Sequence, residues 1–115
     1  DLRAVQLIDA WIGLPDVSDA FMEAQDRLKP FGHLHPVPIW AARGVYLADE
    51  PRVVGKQHLK LLVSSNGIQR EAIAFNMASR AIPEGPLDVA FSLQRNSYMG
   101  RESLQLNVQD FRKSE

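Results

Sequence analysis

Whatever chemistry this 115-residue chain performs must come from three histidines, thirteen basic residues and fourteen acidic ones, because it has no cysteine. His33 and His35 lie one residue apart, but no third His, Cys or carboxylate shares their segment. A closed zinc site takes four ligands, so the pair reads as hydrogen-bonded linker histidines. His58, Ser64, Ser65 and Asp88 supply the residue types of a hydrolytic triad. Neither a nucleophile elbow nor a glycine turn for an oxyanion hole accompanies them, so hydrolysis by that set is not expected. The second half of the chain interleaves cations, amides and an aromatic ring, residue types that can meet phosphates and bases and that equally solvate an ordinary surface.

Charge alone does not decide the partner. The chain carries a formal net charge of −1, yet residues 1–37 hold three basic against six acidic groups and residues 38–115 hold ten against eight. The first part is acidic and the second mildly basic. Without cysteine there is no disulfide framework and no thiolate metal site, which fits a reducing compartment and makes the cytoplasm the default location. No apolar run approaches the ~18 residues that span a bilayer, and the first residues lack a signal peptide's basic and apolar regions. A chain opening at Asp1 directly into an apolar pattern reads as a piece of a longer protein.

The elements that position these groups change character near residue 38. Val5, Leu7, Ile8, Trp11 and Ile12 favour a strand over residues 4–12, ended by Gly13-Leu14-Pro15. Asp16 and Ser18 offer N-caps for a helix over 17–29, with Phe21, Ala24, Gln25 and Leu28 at helical spacing. Three prolines and a glycine within residues 30–38 end that pattern and force an extended path. From Ile39 the period becomes two. A first strand runs through Trp40, Ala42, Val45 and Leu47, is interrupted at Asp49-Glu50-Pro51 and resumes at Val53-Val54. A second points Leu59, Leu61 and Val63 inward and ends at Asn66-Gly67, the strongest short hairpin signal. The third, residues 69–75, is expected to place Ile73 and Phe75 inward and Arg70, Ala72 and Ala74 outward. After a short helix or turn at 76–81, Leu87, Val89, Phe91 and Leu93 mark a fourth strand, residues 95–100 a polar loop, and Leu104, Leu106 and Val108 a fifth. Three strands, a short connection and two more strands predict a mainly β fold with a short N-terminal helix. The expected architecture is a five-stranded Greek-key OB-fold barrel, with an SH3-like barrel as the alternative.

One segment adds a specific likeness. Leu28-Lys29-Pro30-Phe31-Gly32-His33-Leu34-His35-Pro36-Val37-Pro38-Ile39-Trp40 resembles the L-x-P-F-G-x-G-N-P-x-P-x-F segment of RecJ-type single-strand-specific exonucleases. There it leads from a DHH-type nuclease core into an OB-fold. Gly55–Leu61, Ala72–Asn76, Val89–Leu93 and Asn96–Leu106 resemble later pieces of that domain in order and spacing, and Leu7-Ile8-Asp9-Ala10 resembles the end of the preceding nuclease region. Leu34 stands in place of the family's usual glycine, His35 in place of its asparagine, and Tyr98 where tryptophan is frequent.

The resemblance implies two parts: residues 1–37 as the strand, helix and linker closing the nuclease region, and residues 38–115 as the OB module. It further implies a parent enzyme that degrades single-stranded DNA from the 5′ end with Mn2+ or Mg2+. The Asp-His-His signature and metal-binding aspartates of that enzyme have no counterpart here, so this chain is expected to be catalytically inert and to hold no cofactor. On an OB groove, Lys56, His58, Lys60, Arg70, Arg95, Asn96, Tyr98, Arg101 and Gln105 are the expected contacts to single-stranded DNA, with Tyr98 as the stacking platform. The alternative is a structural OB scaffold without direct DNA contact, which docks the missing nuclease core or a single-strand-binding protein.

Overall fold

The computed structural model describes residues 8–27 and 37–115. The Pro-Phe-Gly run over 28–36, with His33 and His35, and the strand expected before Ile8 lie outside the described residues. Seven strands form one sheet: β1 (Ala10–Trp11), β2 (Trp40–Leu47), β3 (Arg52–Val54), β4 (His58–Ser65), β5 (Ile68–Ala74), β6 (Leu87–Tyr98) and β7 (Arg101–Lys113). Their order is β1-β2-β6-β7-β5-β4-β3, and a further β2–β4 pairing bends the middle five into a partial ring. The expected five strands thus become seven. The two additional to the barrel count, β1 and β3, are two and three residues long and fall within the strand expected over 4–12 and the expected resumption at Val53-Val54.

Alternation explains most of the ring. In β4, Leu59, Leu61 and Val63 are buried, and in β6, Leu87, Val89, Phe91 and Leu93 are. Phe91, Leu87, Leu106, Val45 and Val63 fill the interior, and Leu14, Val17 and Met22 from the N-terminal segment belong to the same core. Both partners of the β6–β7 hairpin carry an additional buried carboxylate. Asp88 Oδ1 accepts from the Gly44 amide at 3.1 Å, and Arg112 Nε lies 3.4 Å from its other oxygen. Gly44 sits at φ +63 in a bulge of β2, where the register against β6 shifts between Ala42 and Val45. A Cβ there would meet nothing within 4 Å, so the left-handed backbone is what favours glycine.

Ser18 caps the helix α1 (Asp19–Asp26), its hydroxyl accepting from the Phe21 amide at 3.2 Å. The described helix is shorter than the expected 17–29. Its inner face is Met22 and Gln25, rather than the expected Ala24, which is exposed. Gln25 is a buried polar clamp: Oε1 accepts from Trp40 Nε1 at 3.0 Å and Nε2 donates to the Leu93 carbonyl at 3.4 Å. Phe21 meets Trp40 edge to face at 5.1 Å. The helix is therefore fastened to β2 and β6, while β1 runs parallel to β2 with Ala10 beside Trp40. Residues 76–81 form turns. They are pinned to β7 by Arg80, which pairs with Asp110 at 2.5 Å, donates to the Phe111 carbonyl at 2.8 Å and lies 4.2 Å over the Phe111 ring.

Two expectations need correction. In β5 the inward residues are Ala72 and Ala74, both fully buried, whereas Ile73 is half-buried and Phe75 is exposed. Ala72 lies beside Leu106 in the parallel β5–β7 pair, and both alanines belong to the core built by Leu59, Leu61, Leu93 and Leu106. Residues 95–98, expected in a loop, continue β6. The hairpin turns on Met99 and Gly100, at φ +52 and +77, with Tyr98 directly opposite Arg101.

Candidate nucleic-acid interface

Because side chains alternate, the register defines one continuous outer face. On it Lys60 lies beside Ile73, Leu62 beside Glu71, Glu71 beside Gln105, and Ile73 beside Asn107. Across the hairpin, Gln94 faces Gln105 and Asn96 faces Ser103. All project away from Leu59, Leu61, Ala72, Leu93 and Leu106, which face the core. The twisted sheet hollows this face into an open concavity of about 560 Å³ lined by Lys60, Glu71, Asn96, Arg101, Glu102 and Ser103. A second hollow beside it shares Lys60 and Glu71 and adds Asp49, Glu50 and Arg52.

The potential of this face is mixed, since Arg52, Lys60 and Arg101 sit among Asp49, Glu50, Glu71 and Glu102. Availability separates Lys60 and Arg101 from Arg70, Arg80, Arg95 and Arg112, which are engaged elsewhere. Among the described residues, neither Lys60 nor Arg101 enters an ion pair. Both ammonium and guanidinium are therefore available to a phosphate.

Other expected contacts lie elsewhere. Arg70 belongs to the inward-facing set of β5 and reaches the rim, where Nε donates to the Val17 carbonyl at 2.9 Å and Nη1 to its neighbour Gln69 at 2.8 Å. Arg95 is on the opposite side of the hairpin from Asn96 and donates to Asp26 Oδ2 at 2.6 Å. That bond raises the Arg95 pKa above its ordinary value, outweighing the loss of hydration. Gln105 was expected outward and accessible. It is 4% exposed and accepts from Gln94 Nε2 at 3.0 Å, so the paired amides satisfy each other beneath the concavity.

Lys56 stands in the β3–β4 turn at φ +69, exposed. His58 Nδ1 accepts from the Asn76 amide at 2.9 Å, and its ring meets Phe75 edge to face at 5.1 Å. With Asp88 occupied by Gly44 and Arg112, no His58–Asp88 relay forms. Tyr98 closes β6, but its side chain lies outside the described residues. The structure thus brings Lys60, Asn96 and Arg101 together, sets Arg70 in an adjoining hollow that shares Glu71, Glu102 and Ser103 but ties its guanidinium to backbone carbonyls, and turns Arg95 away to Asp26. Sequence reasoning overlooked Arg52, Ser103 and Phe75, of which Phe75 had been assigned to the core by its size.

Trp11, 36% exposed, packs beneath the Arg43 guanidinium at 4.0 Å, away from this face. Among the described residues no group of three or more His, Cys, Asp or Glu gathers at a point that could hold a metal ion. No described helix is long and apolar enough to cross a membrane.

The RecJ OB domain model matches residues 8–110. The chain is 24% identical over 119 aligned positions to the single-stranded-DNA-specific exonuclease RecJ of Bacillus subtilis, covering 100% of this chain and 15% of that protein. It is 31% identical over 86 positions to the RecJ of Salmonella typhimurium, covering 70% of this chain and 15% of the relative. The crystal structure of Thermus thermophilus RecJ in complex with Mn2+ superposes with a TM-score of 0.72 at 23% identity, covering 94% of this chain and 16% of that one. The chain therefore spans about a seventh of the length of these relatives. A mainly β chain with a partial ring, matched by that model along nearly its whole length, belongs to the RecJ OB domain family.

Proposed function

We propose that the outer face of β4, β5, β7 and β6 binds single-stranded DNA and guides it toward a RecJ-type nuclease core outside this chain. The carrying observation is the convergence of Lys60, Asn96, Arg101 and Ser103 on one hollow, with neither cation in an ion pair among the described residues. We read the partial ring as the five-stranded Greek-key barrel of an OB-fold, whose second and third strands and flanking loops are the usual oligonucleotide surface. Residues 1–37 then close the nuclease region and residues 38–115 form the module. Divalent-metal chemistry, with the Mn2+ or Mg2+ of the Thermus structures, belongs to the core, and the assembly works in the cytoplasm. This chain by itself is inert: specific 5′ degradation by it in the presence of Mn2+ would overturn that assignment.

The test is titration of fluorescent oligothymidine at two salt concentrations. Two neutralised phosphates predict a slope of log K against log salt near about −1.4, or a roughly 7-fold loss from 50 to 200 mM. Lys60→Ala and Arg101→Ala should each reduce the slope by about 0.7. No binding at low salt, or slopes indifferent to both changes, refutes the interface. The acid-rich rim of Asp49, Glu50, Glu71 and Glu102 favours a second reading, a scaffold that docks the core or a single-strand-binding protein. Nucleic-acid-independent copurification with such a protein, without oligonucleotide binding, would support it.

A further inference from the structure

The concavity is not the whole of the outer face. Following β4 and β5 past the Lys60–Ile73 pair leads to His58 and Phe75, whose rings meet at 5.1 Å with 76° between their planes. Phe75 is 44% exposed, although a phenyl ring loses ~1.5–3 kcal/mol of burial when left in water. The strand phase that fills the interior with Ala72 and Ala74 turns Ile73 and then Phe75 outward. His58 is fixed from two directions, by the Asn76 amide on Nδ1 and by Phe75 at its side, and Val54 lies opposite it on β3, also exposed. In an edge-to-face pair at least one ring face stays free of the partner ring, and here the pair sits where β4 begins and β5 ends.

We propose that the His58–Phe75 pair is a stacking platform for an unpaired nucleobase, so that a strand crossing the Lys60–Arg101 hollow continues along β4 and β5 to this second anchor. This rests on the proposed DNA-binding reading and adds to it a path and a role for Phe75. A flat aromatic surface on the same face as available cations matches the chemistry of single-stranded nucleic acid, whose bases present a π-face whatever their identity. A duplex, with its bases already stacked, gains nothing from the platform.

The probe is a fluorescent deoxythymidine oligomer, compared with an oligomer of the same length and charge whose sugars are abasic, both titrated against the 115-residue chain. The wild type should prefer the thymidine oligomer. Phe75→Ala should weaken it by between about 5-fold and about 150-fold while leaving abasic affinity and the salt slope unchanged. Phe75→Trp should restore the preference. A melting profile unchanged by Phe75→Ala separates loss of stacking from loss of fold, and Phe75→Leu supplies a second variant that keeps bulk without an aromatic face. Salt-dependent binding that ignores the bases, or that Phe75→Ala weakens equally for both oligomers, overturns the platform and leaves the cationic interface standing. Absence of binding to either oligomer overturns both.

Discussion

The Arg80–Asp110 clamp makes a sharp stability prediction because its two ends are buried so differently. The Asp110 side chain is 5% exposed and the Arg80 side chain 41%. Arg80→Ala leaves a carboxylate in the interior without its cation, and also removes the donor at the Phe111 carbonyl. Uncompensated buried charges of this kind cost about 3–5 kcal/mol, and the retained bond from the Phe111 amide to Asp110 Oδ1 at 2.9 Å favours the lower figure. Asp110→Ala instead leaves a guanidinium that water reaches, so its cost falls to about 1–2 kcal/mol, chiefly the orphaned Phe111 amide. At roughly 2.1 cal/mol/K per residue, 1 kcal/mol is worth about 4 °C in a chain of this size. Arg80→Ala should therefore lower Tm by about 12 °C and Asp110→Ala by about 4–8 °C. The double variant, with no buried charge left, should be no less stable than Arg80→Ala alone. Urea denaturation of the four proteins closes the double-mutant cycle. Additive costs, or a larger loss from Asp110→Ala than from Arg80→Ala, would refute the account of carboxylate burial.

Trp40→Phe keeps the edge-to-face partner of Phe21 but strands the buried Gln25 Oε1, and should cost about 1–3 kcal/mol in urea denaturation. Arg95→Ala should speed amide exchange across Asp19–Asp26 by releasing Asp26 from β6, while oligonucleotide affinity and salt slope stay at the wild-type values. The raised pKa of Arg95 means that its contribution is fully present below the ordinary arginine range and lost only as pH rises through the folded value. Between pH 6 and 9, titration of Arg95 should leave thermal stability flat.

Strands with one large-hydrophobic face were legible in the sequence, as Leu87, Val89, Phe91 and Leu93 illustrate. In β5 the same rule chose the wrong face. Ile73 and Phe75 outweigh Ala72 and Ala74 in hydrophobicity, but a narrow ring interior selects by volume, and volume depends on what the neighbouring strands contribute. Polarity misled twice in the last hairpin. Residues 95–98 look like a loop because both their faces are polar, yet pairing with 101–104 comes from the backbone. Gln105 looks exposed because it is polar, yet Gln94 supplies its partner from eleven residues away. The candidate site suffered accordingly: Lys60 could be read as an alternating outward group and Asn96 and Arg101 only as loop residues, whereas the diversion of Arg95 to Asp26 and Arg70 to Val17 depends on tertiary neighbours.

The pairing of strands around the ring is very uneven. β6 and β7 are matched over twelve residue pairs, while β2 and β4 meet only at Tyr46–Ser64 and Leu47–Val63, with one further bond from the Ala48 amide to the Leu62 carbonyl at 2.7 Å. Such a ring is a spine with a clasp. Thermal opening should begin at the clasp, where few bonds must break together, and the β3–β4–β5 flap that carries Lys60 and Phe75 can flex about the spine without disturbing the long hairpin. The width of the groove is thus set by its weakest seam, and Leu47→Pro or a cross-link between positions 46 and 64 would loosen or lock it.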